Sequence, residues 1–164
     1  MIESPRLRLR RLRLSDAPEL IALDSDPEVM RWVGSPPVCT SPAETAERVR
    51  QRLETDHGPL GFWAVERRAD GGFCGLCALL LMPAGADVEL AYRLTRSCWG
   101  QGLATEAAAA VVDHAFRALA LPRLVAVTYP ENTASQRVLE KVGFARRGFV
   151  DYKGTRAAYY IVTR

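Results

Sequence analysis

Trp99-Gly100-Gln101-Gly102-Leu103-Ala104-Thr105-Glu106 is the stretch of sequence on which the fold prediction depends. It follows a predicted strand at residues 88–94 and opens a predicted helix at residues 103–119. Glycines let the backbone approach a ligand closely, and the N–H groups at a helix start lie at the positive end of the helix dipole. The loop is therefore a candidate site for a phosphate or diphosphate group.

Two common phosphate-binding motifs do not match this loop. A Walker loop needs a Lys followed by Ser or Thr after its second glycine, and the loop contains no Lys. A dinucleotide-binding fingerprint needs Gly or Ala where Thr105 stands, and an acidic residue about 20 positions on, where Leu121-Pro122-Arg123 stands. On this loop alone, a plain glycine-rich turn without ligand remains the alternative.

Outward from the loop, hydrophobic periodicity and turn residues predict a mixed α/β sheet of about six to seven strands flanked by helices. The predicted strands lie at residues 6–14, 62–66, 73–81, 88–94, 124–129, 144–152 and 157–163. Capping signals predict helices that start near residues 16, 27 and 42, and further helices at residues 103–119 and 133–142. On the helix at 103–119, Leu103, Ala107, Val111 and Ala118 form the predicted buried stripe, with Glu106 on the opposite, polar face.

The composition favours one globular domain that spans residues 1–164. The chain has a mass of 18.1 kDa, and it is 48% hydrophobic and 25% charged, close to the globular average. Its apolar stretches are shorter than the ~20 residues of a membrane span, and no apolar run follows Met1-Ile2-Glu3-Ser4-Pro5. We therefore expect a soluble, cytoplasmic protein that does not bind membranes.

The net charge is +3, and an alternating Arg/Leu segment at residues 6–13 carries the excess. A nucleic-acid-binding protein usually spreads its basic residues over a face or a helix. We interpret this segment as a strand with a solvated, positively charged face, and we predict no nucleic-acid partner.

The cysteines indicate neither a metal site nor a redox site. The four cysteines are Cys39, Cys74, Cys77 and Cys98. Cys74-Gly-Leu-Cys77 is a CxxC motif, but no second pair stands at zinc spacing from it, and the only histidines, His57 and His114, are isolated from it. The motif lies inside a predicted strand, where positions i and i+3 point to opposite faces. We interpret both cysteines as buried small apolar residues and predict no metal.

Four motifs in order resemble the GNAT superfamily of acyl-CoA-dependent N-acyltransferases. They are the opening at residues 5–10, the Glu-Leu-Ala-Tyr strand at 88–94, the WGxGxATEA string at 99–107 and the EN-x-x-S block at 131–144. The resemblance is strongest over residues 88–149 and is closest to the RimJ/RimL branch, the protein N-terminal acetyltransferases. The family's loop usually begins with Gln or Arg, and Trp99 in that place is typical of this branch.

The resemblance implies that acetyl-CoA is the cosubstrate and that two splayed parallel strands, at 88–94 and 124–129, admit its pantetheine arm. The arm would add as a pseudo-strand to backbone groups of one strand, the diphosphate would lie on the loop, and Asn132 would bond the arm. An ordinary helix N-cap is the alternative for Asn132. The implied cofactor-binding residues are Tyr92, Leu94, Trp99, Gly100, Gln101, Gly102, Leu103, Ala104, Thr105 and Asn132.

The chemistry implied is aminolysis of a thioester, in which an amine loses a proton and a thiolate leaves. Glu89 is the candidate base, directly or through water, and an exposed Glu paired with an Arg is the alternative. Ser135 is the candidate proton donor to the thiolate, and a helix-surface serine is the alternative. Many family members use a Tyr where this sequence has Leu139.

The acceptor implied by the branch is the α-amine of a protein N-terminus. A small-molecule amine, as in antibiotic or amino-acid acetylation, and a non-catalytic acyl-CoA sensor are the alternatives. Acceptor contacts are expected from residues 24–39 and from the segment before Gly61, with Trp32 as a candidate that core packing explains equally well. The protein is expected to be a monomer or a homodimer.

Overall fold

Eight strands form one mixed sheet in the computed structural model, which describes residues 1–34, 41–55, 58–82, 85 and 87–164. The strands are β1 (Ile2–Glu3), β2 (Leu7–Arg11), β3 (Gly61–Arg67), β4 (Phe73–Leu81), β5 (Val88–Leu94), β6 (Arg123–Thr128), β7 (Ala145–Tyr152) and β8 (Thr155–Thr163). The helices are α1 (Ala17–Ser25), α2 (Pro27–Met30), α3 (Pro42–Thr55), α4 (Leu103–Arg117) and α5 (Thr133–Lys141). Single-turn 3₁₀ segments lie at Leu14–Asp16 and Arg96–Cys98.

The fold class is confirmed, but the predicted strand number was too low. The extra strand is β1, whose two residues pair with β2 at Ile2↔Leu9 and Glu3↔Arg8. Two residues are too short for a period-2 signal, so only the tertiary pairing defines this strand. The predicted first strand at 6–14 was too long, because a 3₁₀ turn begins at Leu14.

The sheet order is β1-β2-β3-β4-β5-β6-β8-β7, and every neighbouring pair except β5 and β6 is antiparallel. β5 and β6 are parallel and are paired at one position only, Glu89↔Val125. Beyond that pair the two strands diverge toward their carboxyl ends. The predicted splayed parallel strands are therefore confirmed.

Helices cover both faces of the sheet, because neighbouring residues of a strand point to opposite faces. On β4, Cys77 belongs to the larger core, which α4 fills, whereas Leu76 belongs to a second core with Leu20 and Val49 of α1 and α3. The capping box that predicted the start of α3 is present, with the Ser41 N–H donating to a Glu44 oxygen at 2.8 Å.

A β-bulge in β4 corrects our interpretation of the CxxC motif. The β3–β4 register moves from Val65↔Gly75 to Glu66↔Phe73, so Cys74 has no partner of its own. The bulge turns Cys74 toward the core that also holds Cys77, so the two side chains do not point to opposite faces. Both are fully buried, as predicted, and burial raises the pKa of each to about 12.

The arginine segment is less solvated than predicted. Arg10 has a side chain only 12% exposed, because it lies between Asp16, at 2.7 Å, and Glu66, at 2.6 Å. Arg11 stacks on Trp63, with its guanidinium carbon 4.4 Å from the ring centroid. Folded neighbours, which the linear sequence does not reveal, neutralise or cover much of this charge.

Two residues of α4 also differ from the predicted helix faces. Ala118 is exposed and lies just beyond the helix end, so it does not extend the buried stripe. The Glu106 side chain is only 14% exposed, because the N-terminal segment folds over it and Arg6 pairs with it at 2.6 Å.

Replacing Gly75 should open the sheet beside the β5–β6 divergence. At Gly75 the φ angle is +141°, and an added Cβ would lie 2.7 Å from the Leu94 Cα and nearer still to the Arg93 carbonyl oxygen. We expect Gly75→Ala to lower the free energy of unfolding by at least ~2 kcal/mol in urea titrations. The control is Gly71→Ala, which has φ +71° but no atom within 4 Å and should cost about 1 kcal/mol. Equal losses in the two variants would contradict the close approach of β4 to β5.

Candidate active site

A cavity of about 910 Å³ follows the divergence of β5 and β6. Its lining includes the glycine loop, the exposed edges of both strands, the start of α5, the turn after β7 and the residues that follow α2. Because carboxyl ends of parallel strands meet at one edge of a sheet, the loop after β5 and the segment after β6 flank the same opening.

The loop presents free backbone donors to this cavity. Gly100 and Gly102 adopt left-handed conformations, with φ angles of +73° and +75°, and an added Cβ at Gly100 would meet no atom within 4 Å. Within the part of the chain that the structure describes, none of the N–H groups from residue 100 to residue 105 donates to a backbone carbonyl. The first N–H of α4 to do so is that of Glu106, which reaches the Gly102 carbonyl at 3.1 Å. These donors, at the positive end of α4, can hold an anion.

The loop's side chains mostly have structural partners. The Trp99 indole N–H donates to the Leu94 carbonyl at 2.8 Å. Leu94 is a predicted pantetheine contact, so one of the two lone pairs on its carbonyl oxygen is already used. Gln101 does not line the cavity, and its amide donates to the Ser97 carbonyl at 2.7 Å. Leu103 is buried in the core. What Gln101 and Leu103 can offer to a ligand is therefore backbone rather than side chain.

Glu89 is a buried carboxylate beside the strand divergence. It is only 7% exposed, and the Tyr152 hydroxyl donates to its Oε2 at 3.0 Å. Burial raises the pKa of Glu89, while the Tyr152 hydrogen bond and the positive charge of Lys153 oppose part of that shift. The alternative of an exposed Glu paired with an Arg is wrong. A carboxyl with a raised pKa can accept a proton from an amine more readily than an ordinary one.

Ser135 and Tyr92 meet across the opening. The Tyr92 hydroxyl donates to the Ser135 carbonyl at 3.1 Å and lies 3.0 Å from the Ser135 Oγ. The serine is half-buried and lines the cavity, so it is not a plain helix-surface residue. Burial raises the pKa of Tyr92, and the phenol therefore stays protonated. Asn132 is the N-cap of α5, accepting from the Ser135 N–H at 3.1 Å, and it also lines the cavity.

The expected acceptor region is only partly described. Trp32 lines the cavity and packs at a tilt against Tyr129, with ring centroids 6.2 Å apart. The Tyr129 hydroxyl donates to the Gly34 carbonyl at 2.7 Å, which ties this segment to the end of β6. Residues 35–39 of this region, which include Cys39, and residues 56–57 of the segment before Gly61 lie outside the described residues.

Comparison with known families settles what this architecture is. The family model for the acetyltransferase (GNAT) domain matches residues 6–145. The chain belongs to the GNAT family of acetyltransferases. A curated relative from Bacillus licheniformis, the uncharacterized N-acetyltransferase p20, is 32% identical over 152 residues, covering 90% of this chain and 84% of its own.

Solved structures show the same GNAT fold. An acetyltransferase of the GNAT family from Bacillus anthracis superposes with a TM-score of 0.84 at 23% identity, covering 99% of this chain and 97% of its own. RimL, a ribosomal-protein alpha-N-acetyltransferase in complex with coenzyme A, gives 0.79 at 20% identity, with coverages of 98% and 95%. The aminoglycoside acetyltransferase AAC(6')-Ib in complex with coenzyme A gives 0.81 at 20% identity, with coverages of 96% and 95%.

Sequence reasoning missed two groups at this GNAT site. Tyr152 reaches Glu89 through the β7–β8 hairpin, and no local motif marks that contact. Arg93 donates from its Nε to Asp24 at 2.8 Å, and Arg52 donates to the same carboxylate at 3.1 Å. The sequence did contain a signal for Arg93: residues 89 and 93 of β5 are an even number of positions apart, so Arg93 lies on the same face of the strand as Glu89.

Removing the Tyr152 hydroxyl should raise the pKa of Glu89 further. The hydrogen bond stabilises the carboxylate, so its loss favours the protonated form. We expect a higher Glu89 pKa in Tyr152→Phe than in wild type, measured by carbon NMR titration of the glutamate carboxyls. Tyr159→Phe is the matched control, because it deletes a phenol hydroxyl that has no hydrogen bond to Glu89, and it should leave this pKa unchanged. An unchanged or lower pKa in Tyr152→Phe would mean that the hydroxyl does not stabilise the carboxylate.

Proposed function

We propose that this GNAT enzyme transfers the acetyl group of acetyl-CoA to the α-amine of a polypeptide, as the RimJ/RimL branch does. One observation carries the proposal: a single cavity combines the free N–H groups of the glycine loop with the buried carboxylate of Glu89. The N–H groups suit a diphosphate, and the carboxylate suits proton removal from an amine.

In this proposal the cofactor lies along the divergence of β5 and β6. The loop from Trp99 to Thr105 binds the diphosphate through its backbone, and the pantetheine arm lies along β5 at Tyr92 and Leu94, where β6 has moved away. Asn132 has an amide N–H₂ group in addition to the oxygen that caps α5, and this group is available to the arm. Positioning of the thioester supplies much of the rate, because thioesters are already reactive toward amines.

Glu89 is the proposed base, and Ser135 the proposed donor to the leaving thiolate. The Tyr92 phenol has one proton to donate. When that proton turns from the Ser135 carbonyl to the Ser135 Oγ, the serine's own proton is free to point at the sulfur. A serine hydroxyl is a weak acid, so its main contribution is a hydrogen bond that strengthens as charge grows on sulfur.

The charge on the cavity lining favours a polypeptide amine over an aminoglycoside. Among described residues the lining carries five cationic side chains and two carboxylates. They are Arg31, Arg93, Arg137, Lys141 and Lys153 against Glu89 and Glu131. The pairs of Arg93 with Asp24 and of Arg31 with Glu28 reduce this excess of positive charge without reversing it. A polycationic antibiotic would meet net repulsion there, whereas an α-amine with one charge loses that charge on the way to reaction. AAC(6')-Ib, which shares the fold, therefore does not define the acceptor proposed for this chain.

The proposal extends to the setting of the enzyme. We propose one domain over residues 1–164 that acts in the cytoplasm as a monomer or homodimer, without metal or nucleic acid. Pairing of Arg10 with Asp16 and Glu66 supports the absence of a nucleic-acid surface on the arginine segment. No helix of the described residues is long and apolar enough to cross a bilayer.

An acceptor panel tests the proposed function. Thiol release from acetyl-CoA is followed with peptides that carry a free α-amine, the same peptides blocked at the α-amine but carrying a Lys, free amino acids, and an aminoglycoside. We expect kcat/KM for the best free-α-amine peptide to exceed that of the aminoglycoside at least tenfold, with the acetyl group located by mass spectrometry. Preference for a small amine would overturn the polypeptide acceptor. Binding of CoA without any thiol release would favour the sensor alternative.

Glu89→Gln tests the base. The amide keeps the shape and still accepts from Tyr152, but it cannot take the proton, so we expect kcat to fall about 100-fold with CoA affinity within about twofold of wild type. The control is Glu131→Gln, an exposed carboxyl on the same cavity lining, which should retain activity. The wild-type rate should also rise with pH as Glu89 loses its proton. The midpoint of that rise should lie above the ordinary Glu pKa of about 4.3, because burial raises the pKa of Glu89. Full activity of Glu89→Gln would leave Glu89 a structural role only.

A further inference from the structure

The N-terminal arm, which we define as residues 4–6, is bonded to a carboxylate in the first turn of α4 and, through Arg6, to the glycine loop. Glu106 Oε1 accepts from the Ser4 hydroxyl and from the Arg6 backbone N–H, each at 2.7 Å. Glu106 Oε2 accepts from Arg6 Nε at 2.6 Å. Arg6 Nη1 continues to the Gln101 carbonyl at 3.0 Å. One guanidinium therefore joins the first turn of α4 to the loop that precedes it.

Glu106 is an unexpected charge at this place. It lies in the first turn of α4 and donates its N–H to the Gly102 carbonyl, one turn from the free amides that suit an anion. A carboxylate there stabilises the helix start through the dipole, but it repels a phosphate group nearby. Burial alone would raise the pKa of Glu106, but hydrogen bonds from Ser4 and Arg6 lower it, so the carboxylate is ionised near neutral pH.

The bond to Gln101 fixes the orientation of a peptide group in the loop. In a trans peptide the carbonyl and the following N–H point in opposite directions. Because the Gln101 carbonyl points at Arg6, the N–H of Gly102 points away from Arg6. The Arg6 Nη2 atom lies 3.6 Å from the place of a Cβ on Gly102, directly beside the loop.

We infer that Arg6 is a positioning residue of the cofactor site, which neutralises Glu106 and turns the Gln101–Gly102 peptide so that the loop meets the diphosphate with its N–H group. The inference rests on the proposed function, in which that loop binds the diphosphate of acetyl-CoA. It assigns to the arginine segment a task in cofactor binding that requires no contact with the reacting atoms.

The test compares charge variants in titrations of the whole protein with CoA. Arg6→Gln leaves Glu106 uncompensated, and we expect the Kd for CoA to rise at least tenfold, about 1.4 kcal/mol. The matched control is Arg8→Gln, which removes the same charge from the same segment but from a half-exposed pair with Glu3, and its Kd should stay within about twofold of wild type. Arg6→Lys keeps the charge and should bind more tightly than Arg6→Gln.

A double variant separates charge compensation from simple structural support. Adding Glu106→Gln to Arg6→Gln removes the opposing carboxylate, so the double variant should bind CoA more tightly than Arg6→Gln alone. With acetyl-pantetheine, which lacks the diphosphate, Arg6→Gln should show the wild-type KM, and its kcat at saturating acetyl-CoA should also be unchanged. A wild-type Kd in Arg6→Gln, or a double variant no tighter than the single one, would overturn the inference. Failure of the wild type itself to bind CoA would instead contradict the proposed function.

Discussion

The separation of β5 from β6 beyond the Glu89–Val125 pair is the constraint on which the rest of the structure depends. Each strand is fully paired on its other side, β5 with β4 and β6 with β8, so neither can close the gap without losing an established ladder. Backbone groups on the facing edges need other partners, because unpaired buried polar groups are costly. In the binding mode that we propose, an extended, polar cofactor arm meets that need. The loop after β5 and the start of α5 are placed at the opening by the same divergence.

The electrostatics of the opening also depend on a buried ion-pair network that includes Arg93 of the cavity lining. Asp24, with a side chain 1% exposed, is bonded by Arg93 and by Arg52. Such a buried pair is sensitive to loss of one partner, which would leave a charge in the interior uncompensated. This network ties β5 to α1 and α3, and it places a guanidinium on the strand that also carries Glu89. Among the described residues, burial outweighs the opposing effects of the Tyr152 hydrogen bond and the Lys153 charge, so the pKa of Glu89 is raised.

The arginine segment illustrates how partners change the meaning of a charge pattern. As a sequence, five arginines near the N-terminus suggest a solvated basic face. In the fold, Arg10 is bonded to two carboxylates, Arg11 covers Trp63, and Arg6 reaches the first turn of α4. Each carboxylate or ring comes from an element distant in sequence, except Asp16. Arg10 and Arg11 therefore serve internal contacts, whereas Arg6, Arg8 and Arg13 remain exposed.

The sequence by itself determined the element order, the strands 73–81 and 88–94 to the residue, and the loop with its following helix, because local periodicity, capping and glycine chemistry act over a few residues. It also placed Glu89 beside the opening through a motif. Only the tertiary structure decided the strand β1, the bulge at Cys74, and the contacts of Tyr152 with Glu89 and of Arg6 with Glu106. Those contacts join residues that are 63 and 100 positions apart. Side-chain pairing over such separations is fixed by how the sheet folds back on itself, and no local propensity encodes it.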